Sequence, residues 1–364
     1  MFSKKEQSML TFGIDWDDVI APFNDRAIEM ANEEYHFDPP LTLEDITSWE
    51  NTGRASVIRK YYHDPRLYDR QYVPEESKEF IRKLQTKGIV YIVTAAYPQF
   101  MTRRMEQIRE AFPDFPEENI IMGFQKSVVH VDITLDDGPQ NILKSNARFP
   151  VLMRKPWNTE LTGLLAVNNF EEFFTLLDQI KSSMIEDRVE AEPPAVIALV
   201  GPSGSNKNKI TRELCRRDAF TVPRAYTTKP VTDGIHTQIS PEEFIRDRAS
   251  FIETTMYAGY AYGTKTADIS ALMAQNRYIV MPIDLSGAIA MKRHYPTIII
   301  FCKCSRERMI GSILEKEMTN REKTLRLMSL ENELKNAALC DYVVNTGRED
   351  AVQRILEICG AETI

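Results

Sequence analysis

Cysteine is scarce in this sequence: there are 5 among 364 residues, and all of them lie in the second half of the chain. Their number is odd, and Cys302 and Cys304 are the one closely spaced pair, so no disulfide framework is indicated. An isolated C-x-C pair without a second cluster of cysteines or histidines is a weak zinc signal. We therefore expect reduced thiols, as in a cytoplasmic protein.

Positive charge is also in deficit. Lysine and arginine total 45 against 53 aspartates and glutamates, which gives a formal net charge of −8. Binding along the backbone of a nucleic acid needs a basic surface, so we expect no nucleic-acid polymer as a partner. The acidic balance does not exclude a local basic pocket for a single phosphate.

Long apolar runs are missing as well. Even the longest apolar runs, such as Ile298–Cys302, are short. They are far below the about 20 residues that span a bilayer. The first ten residues are too polar for the apolar segment of a secretory signal. These absences predict a soluble, cytoplasmic protein that has no membrane partner.

Short strand-like apolar runs alternate with helical patterns along the whole chain, which is typical of parallel α/β sheets. At roughly 100–200 residues per domain, the length suggests two or three domains. The acidic stretch 184–194 ends in two prolines and shows no apolar periodicity, so it is the best linker candidate. We predict a first domain over residues 1–185, a linker over 186–194 and a second domain over 195–364.

Polar side chains follow three predicted strands of the first half, because Asp15, Thr94 and the pair Asp136-Asp137 each stand where a strand ends. The carboxyl ends of parallel strands meet at one edge of a sheet, so these groups should converge there. Carboxylates just past a buried strand are costly unless a cation or a reaction uses them. Together with Asp17 they form an oxygen-rich set suited to Mg²⁺.

Four motifs in this half resemble those of the haloacid-dehalogenase phosphohydrolase superfamily, and most closely its 5′(3′)-deoxyribonucleotidase branch. The resemblance covers roughly residues 9–180 and implies a Rossmann-like parallel sheet with a small helical cap over about residues 20–74. The motifs are Asp15-Trp16-Asp17-Asp18-Val19, Val93-Thr94, Lys126 and Asp136-Asp137-Gly138-Pro139-Gln140-Asn141.

The resemblance also implies a role for each residue. Asp15 would be the nucleophile that forms an aspartyl-phosphate, and Asp17 would protonate the leaving oxygen and then activate the hydrolytic water. Thr94 and Lys126 would hold the phosphate oxygens. Mg²⁺ would lie between Asp15, the Asp17 carbonyl and Asp137, with Asp136 in support.

The cap segment is rich in aromatic residues. By the same resemblance Phe23 and Trp49 occupy places that stack on a base, although both also suit the core of a cap. The residues after Thr94, from Ala95 to Tyr97, depart from the expected polar pattern, which leaves the substrate open.

The second half begins with a predicted strand, Ala195–Val200, followed by a variant of the phosphate-loop template Gly-x4-Gly-Lys-Ser/Thr. Asn206 replaces the second glycine, and since asparagine tolerates a left-handed backbone, the loop shape can be kept. Asn208 replaces the hydroxyl residue and is not an equivalent Mg²⁺ ligand. The loop residues predicted to bind a nucleotide are Gly201, Ser203, Gly204 and Lys207.

From about Ala195 to the end, the order of motifs resembles that of guanylate kinases and implies their P-loop fold. The resemblance assigns Glu253, Tyr262 and Asp284 to base and phosphate contacts of a nucleoside-monophosphate site. The motifs are Gly201-Pro202-Ser203-Gly204, Tyr226-Thr227-Thr228-Lys229-Pro230, Ser240-Pro241-Glu242-Glu243-Phe244, Phe251-Ile252-Glu253, Tyr262-Gly263-Thr264, Ile283-Asp284-Leu285-Ser286-Gly287 and Val344-Asn345.

This half departs from that family in its cations. Lys229 stands where the family has a phosphate-clamping arginine, and the second clamp is absent, with Thr232 nearby. The lid segment Gly311–Lys316 lacks the expected arginines, although Arg326 remains. Phosphoryl transfer depends on positioning and charge neutralisation, so these losses argue against efficient guanylate kinase activity.

Three hypotheses follow. The first is a Mg²⁺-dependent phosphomonoesterase acting on (deoxy)nucleoside 5′-monophosphates, joined to a nucleotide-binding domain of weak or altered kinase activity that regulates it or holds a homodimer together. The alternative is a bifunctional nucleotidase and nucleoside-monophosphate kinase for an unusual nucleotide. The third is a binding module without catalysis, against which the intact Asp15, Asp17, Lys126 and Asp137 count.

Overall fold

The structure is a computed structural model that describes residues 9–50, 53–161, 163–183, 191–230, 236–257 and 260–361. Thr232 and residues 186–190 of the predicted linker lie outside the described residues. The chain divides into two compact units, one holding the residues up to Asn158 with Ala166–Phe170, the other holding Thr159–Leu165 with the residues from Glu171 on. The predicted domain boundaries stay predictions.

The first unit is built on a six-stranded sheet with the order β3-β2-β1-β4-β5-β6. The pairings from β3 to β5 are all parallel, as the sequence predicts. Strand order reverses direction next to β1, which creates the crevice where such sheets bind ligands. The strands are β1 (Leu10–Ile14), β2 (Gly88–Thr94), β3 (Ile120–Met122), β4 (Ile133–Asp136), β5 (Phe149–Met153) and β6 (Leu165–Val167).

Helices cover this sheet and its carboxyl edge. In the helix at Glu75–Gln85, acidic residues fill the first turn and basic residues the last, in agreement with the helix dipole, while Phe80, Ile81 and Leu84 are buried. The helices of the first unit are α1 (Asn24–Tyr35), α2 (Pro65–Arg70), α3 (Glu75–Gln85), α4 (Met101–Ala111) and α5 (Pro139–Leu143). The next helix along the chain, α6 (Phe170–Ser183), belongs to the second unit from Glu171 on.

The segment between β1 and α3 forms the expected helical cap. It consists of α1, α2 and two 3-10 helices, of which Gly53–His63 is the longer. These elements share a small apolar core that includes Ile58, Tyr61 and Leu67 and also contains Phe100 and Trp157 from outside the cap. The cap is therefore a packed element rather than an extended loop.

The second unit contains a five-stranded parallel sheet with the order β15-β14-β7-β13-β8 and a separate four-stranded sheet with the order β10-β9-β12-β11. The central strand β7 is buried along its whole length, as expected for a parallel strand covered on both faces. The strands are β7 (Ala195–Val200), β8 (Phe220–Thr221), β9 (Ala225–Thr227), β10 (His236–Gln238), β11 (Phe251–Tyr257), β12 (Tyr260–Lys265), β13 (Tyr278–Pro282), β14 (Thr297–Lys303) and β15 (Tyr342–Asn345).

The smaller sheet was not predicted. It is mixed rather than parallel, because β12 pairs antiparallel with both β11 and β9. Among the described residues no helix is long and apolar enough to cross a membrane. The helices of this unit after α6 are α7 (Lys207–Leu214), α8 (Pro241–Arg246), α9 (Thr266–Met273), α10 (Leu285–His294), α11 (Arg306–Glu315), α12 (Asn320–Lys335) and α13 (Ala351–Ile358).

Candidate active site

Three buried carboxylates meet at the carboxyl edge of the first sheet. Asp15 follows β1, whereas Asp136 ends β4 and Asp137 comes directly after it. One carboxylate oxygen of each lies within 4.8 Å of the others. The parallel pairing of β1 with β4 causes this, since the Asp15 amide continues the ladder by donating to the Leu135 carbonyl at 2.9 Å.

Lys126 holds two of these carboxylates together. Its Nζ lies 2.7 Å from Asp15 Oδ1 and 2.9 Å from Asp136 Oδ2, and its side chain is almost completely buried. Burial on its own would lower the pKa of Lys126, but the attraction of Asp136 and then of Asp15 outweighs it and raises the pKa. The lysine therefore stays charged at the site.

One cation does not balance three carboxylates. Burial raises the pKa of Asp15 well above its usual range, and the neighbouring Asp136 adds to the rise. The pKa of Asp137 is raised in the same way, by burial and then by Asp18 and Asp136. A divalent cation would reverse this destabilisation of the charged forms, and an all-oxygen donor set suits Mg²⁺.

The two adjacent aspartates have different surroundings. Asp136 accepts hydrogen bonds from the Gly138 amide at 2.7 Å and from Asn141 Nδ2 at 2.9 Å, in addition to its ion pair with Lys126. Most of its acceptor positions are thereby used, so Asp136 is suited to orienting Lys126. Asp137 has more oxygen capacity left for a metal.

Asp137 is itself positioned by two residues that sequence reasoning missed. Trp157 Nε1 donates to Asp137 Oδ2 at 2.8 Å, and Asn158 Nδ2 donates to the Asp137 carbonyl at 2.9 Å. Both residues are buried in a short 3-10 helix after β5. Nothing in the local sequence distinguishes them from ordinary core residues.

The Asp17 carboxylate lies outside the three-acid cluster and has another partner. It accepts from Arg104 Nη2 at 2.8 Å and Nη1 at 3.0 Å, and from Gln71 Nε2 at 2.8 Å. Arg104 is completely buried in α4, and its Nη1 also donates to Thr94 Oγ1 at 2.6 Å. One arginine thus joins the predicted acid–base residue to the predicted phosphate ligand.

Asp18 anchors the cap to the site. It has a left-handed backbone with φ 58°, and its carboxylate accepts from the amides of Phe23 and Asn24 at 2.9 and 3.0 Å. Burial raises the pKa of Asp18 to about 6. The start of α1 is fixed to the loop that carries Asp15 and Asp17.

The two predicted base-stacking residues differ in their surroundings. The ring of Phe23 packs against those of Tyr62 and Tyr68, with centroids 5.2 and 5.8 Å apart. Trp49 is 44% exposed, so it is not part of the packed core of the cap. Their stacking on a substrate stays a prediction.

A second group of rings, which the sequence reasoning missed, joins the cap to the end of β2. The rings of His63 and Tyr97 are 4.2 Å apart, and that of Tyr97 is 5.6 Å from Phe124. Phe124 is 55% exposed and stands two residues before Lys126. The signal available in the sequence was an aromatic residue two positions before a predicted site residue.

In the second unit the phosphate loop keeps its form despite the two asparagines. Asn206 has the expected left-handed backbone, with φ 62°, and its Nδ2 donates to the Thr346 carbonyl at 2.8 Å. Gly201 has φ 144°, and a Cβ there would lie 2.6 Å from the Cys302 carbonyl oxygen. Gly204 has φ 87°. The backbone of the loop therefore requires glycine at both positions.

The loop lysine points back into the loop. Lys207 Nζ donates to the carbonyls of Gly201 and Pro202, and burial lowers its pKa. The Ser203 hydroxyl accepts from Lys316 Nζ at 2.9 Å and from Arg326 Nη1 at 3.1 Å. The sequence did not single out Lys316 as a site residue.

Glu253 and Asp284 lie near enough for their charges to interact. Burial and then repulsion by Asp284 raise the pKa of Glu253 to about 8, and its Oε2 has no hydrogen-bond partner among the described residues. Asp284 caps α10 by accepting from the Gly287 amide at 2.7 Å. Tyr262 pairs with Thr255 across the β11–β12 ladder, and the hydroxyl of this threonine donates to Asp284.

Lys229 follows β9, where its backbone amide donates to Thr227 Oγ1 at 3.1 Å. The positive charge of Lys229 helps to lower the pKa of Lys316. Lys229 therefore belongs to the group of cations around the loop.

Comparison with known proteins finds a matching family model for each half. The model described as "5′ nucleotidase, deoxy (Pyrimidine), cytosolic type C protein" matches residues 8–183, and the guanylate kinase model matches residues 194–362. A 5′(3′)-deoxyribonucleotidase from Bacillus subtilis is 29% identical over 163 residues, which cover 44% of this chain and 93% of that protein.

Guanylate kinases match the other half. The enzyme from Thermotoga maritima is 30% identical over 182 residues, which cover 46% of this chain and 86% of that protein. The enzyme from Cutibacterium acnes is 31% identical, covering 45% and 90%. A solved guanylate kinase from Anaplasma phagocytophilum has a TM-score of 0.37 at 19% identity, covering 48% of this chain and 89% of that one. The N-terminal half thus matches the deoxynucleotidase family model over residues 8–183 and is similar to phosphoric monoester hydrolases, and the C-terminal half belongs to the guanylate kinase family.

Proposed function

We propose that the first unit hydrolyses (deoxy)nucleoside 5′-monophosphates in a Mg²⁺-dependent reaction that passes through an aspartyl-phosphate. The observation that carries this proposal is the buried contact of Lys126 with Asp15 inside a three-carboxylate cluster. A phosphate dianion is repelled by a carboxylate nucleophile, so attack needs nearby cations that neutralise the charge of both groups. Mg²⁺ held by Asp15, Asp137 and the Asp17 carbonyl would supply the remaining charge neutralisation.

The first step is attack by the Asp15 carboxylate on phosphorus, which breaks the bond to the nucleoside oxygen. Asp17 gives its proton to that leaving oxygen, then takes a proton from the water that hydrolyses the aspartyl-phosphate. Arg104 and Gln71 hold the Asp17 carboxylate from two sides. Their role is to position Asp17.

Thr94 is prepared to bind phosphate. Since its oxygen accepts from Arg104, the hydroxyl proton of Thr94 is available for a phosphate oxygen. Lys126 provides a charge-assisted donor to the same group. These residues bind the anion, while Asp15 does the chemistry.

The aromatic rings give the site a place for a base. His63 comes from the cap, Tyr97 from the loop after β2, and Phe124 is largely exposed beside them. Aromatic faces stack on any nucleobase and add about 1–3 kcal/mol per base. With Phe23 and Trp49 they are the proposed selectors of the nucleoside.

The second unit is proposed to bind a nucleotide at its phosphate loop. The convergence of Lys207, Lys229, Lys316 and Arg326 at this loop supports binding of an anion. A homodimer and a cytoplasmic location stay predictions.

The test is release of phosphate from a panel of nucleoside and deoxynucleoside monophosphates, with Mg²⁺ or with EDTA. Asp15→Asn should lower the rate at least about 10³-fold, since it removes the nucleophile. Asp114→Asn, the same change at an exposed site in this unit, should leave it unchanged. Undiminished release by Asp15→Asn would contradict the proposal.

The bifunctional alternative has its own test. ATP-dependent formation of a nucleoside diphosphate that is abolished by Lys207→Ala would establish a kinase. Absence of any diphosphate, with phosphate release intact, supports a binding role for the second unit.

A further inference from the structure

The phosphate loop of the second unit does not fit a bound Mg²⁺. The template holds the metal with a hydroxyl after the loop lysine, and here Asn208 stands at that position with an exposed side chain. Three metal-ligating side chains of the His, Cys, Asp or Glu type come together in the described part of the chain at Asp15, Asp136 and Asp137, all in the first unit. The loop therefore lacks both the hydroxyl and an acidic cluster.

Side-chain cations gather instead on the loop itself. Lys316, just after α11, and Arg326, in α12, both donate to the single oxygen of Ser203, at 2.9 and 3.1 Å. Two cations on one neutral oxygen repel each other, and the hydroxyl offsets little of that repulsion. The arrangement is favourable when an anion lies against both.

The charge balance of the cluster points the same way. Partial burial and repulsion from Arg326, Lys207 and Lys229 lower the pKa of Lys316. A buried acid beside them is Glu333, whose charge acts on Lys207 and to which Ser329 Oγ donates at 2.9 Å. The half-buried Glu322 faces Arg326 and Lys229 from α12. The described charges that shift the pKa of Lys316 itself all come from cations.

We infer that this loop binds a nucleoside di- or triphosphate without Mg²⁺, with Lys316 and Arg326 supplying the charge that the metal would bring. The inference rests on the proposed nucleotide binding by the second unit and makes it more specific. Because Asn208 offers no hydroxyl ligand for a metal beside the loop lysine, the second unit is inferred to bind its nucleotide rather than to transfer a phosphoryl group.

The experiment is calorimetric titration of the full chain with ATP, in EDTA and in excess Mg²⁺. The dissociation constant in EDTA should be within about threefold of that in Mg²⁺, or lower, since side chains replace the ion. An affinity that Mg²⁺ increases tenfold or more would overturn the inference and leave nucleotide binding standing. No binding in either condition would overturn both, and phosphate release by the first unit would then still test the nucleotidase separately.

Three variants sharpen the result. Lys316→Ala should weaken ATP binding in EDTA about tenfold, the size expected for one charge-assisted hydrogen bond, whereas Lys316→Arg should retain it. Lys335→Ala removes the same charge from an exposed position at the end of α12 and should change nothing. Equal affinities of Lys316→Ala and the parent protein would overturn the role of Lys316.

The converse change adds the missing ligand. Asn208→Thr restores a hydroxyl beside Lys207, so its ATP affinity should become about tenfold higher in Mg²⁺ than in EDTA. If the ATP affinity of Asn208→Thr is the same in Mg²⁺ and in EDTA, Asn208 is not the reason that binding is independent of the metal. The inference then fails on that point.

Discussion

The two proposed phosphate sites of this chain are lined by side chains of opposite charge. In the first unit three buried carboxylates surround one lysine, Lys126. In the second unit Lys316 and Arg326 converge on Ser203 beside Lys207. An acid-lined site needs an added cation before it accepts a phosphate, while a cation-lined site attracts phosphate directly. This difference matches the proposed functions, in which the first site carries out chemistry and the second binds a nucleotide.

The largest effect is expected at the lysine of the acidic site. Lys126→Met removes the cation between Asp15 and Asp136, so phosphate release should fall about 10³-fold. Steady-state kinetics on a nucleoside monophosphate measure the loss. Lys144→Met, at an exposed site of the same unit, is the control. A loss below tenfold would show that this lysine is not needed to neutralise the acidic site.

Arg104 tests how the acidic site positions its acid–base residue. Arg104→Lys keeps the charge but loses the paired contact with Asp17 and the bond to Thr94, so kcat should fall about 100-fold with a smaller change in KM. The neighbouring Arg103→Lys affects surface ion pairs and should have little effect. Equal losses in both variants would indicate a general loss of folding rather than positioning.

Glu253 tests what burial does to the pKa of a carboxyl group that, unlike Asp15, forms no ion pair among the described residues. Its pKa of about 8 lies above the usual 4.5, so the folded state binds the proton more tightly, and stability is lost as pH rises from 4.5 through 8. Glu253→Gln should remove about 2 kcal/mol of this loss, since each pKa unit is worth about 1.4 kcal/mol and buried charges relax.

Denaturant unfolding of the second unit at pH 5 and pH 9 measures this effect. The exposed Glu349→Gln should show the same pH dependence as the parent protein. If Glu253→Gln does so too, the carboxyl is not held protonated by its burial.

The smallest effect concerns metal affinity. Trp157→Phe removes the hydrogen bond to Asp137 Oδ2 and keeps most of the packing. Loss of such an outer contact should raise the Mg²⁺ concentration for half-maximal activity about tenfold. Tyr72→Phe, at an exposed ring of the same unit, should not change it. A Mg²⁺ requirement unchanged in Trp157→Phe would show that this bond does not position Asp137.

Much of the acidic site could be predicted because its residues follow strands. Asp15, Asp136 and Asp137 stand directly at strand ends, and parallel pairing brings strand ends together. Arg104 could not be found in that way. The apolar spacing of residues 98–112 predicts a buried face with Met101, Met105 and Ile108, whereas the structure buries Arg104 and Gln107 beside Ile108.

In the cation-lined site of the second unit, the sequence predicted the loop but not all the cations that gather around it. The sequence predicted the phosphate loop and that Asn206 can keep its shape, and Asn206 has a left-handed backbone. The loss of lid arginines in the sequence argues against efficient guanylate kinase activity, but it does not reveal which other cations reach the loop. The structure brings Lys316 to the oxygen of Ser203, 113 positions earlier in the chain.

The sequence by itself determined the two phosphate-binding halves, their parallel sheets and the residues that directly follow strands. Local pattern is sufficient there, because strand ends and glycine-rich turns fix side chains through the backbone nearby. Tertiary structure alone decided which distant residues complete each site: Arg104 and Trp157 in the first unit, Lys316 in the second. Long side chains reach their partners across elements that are far apart in sequence, and no local periodicity encodes such a contact.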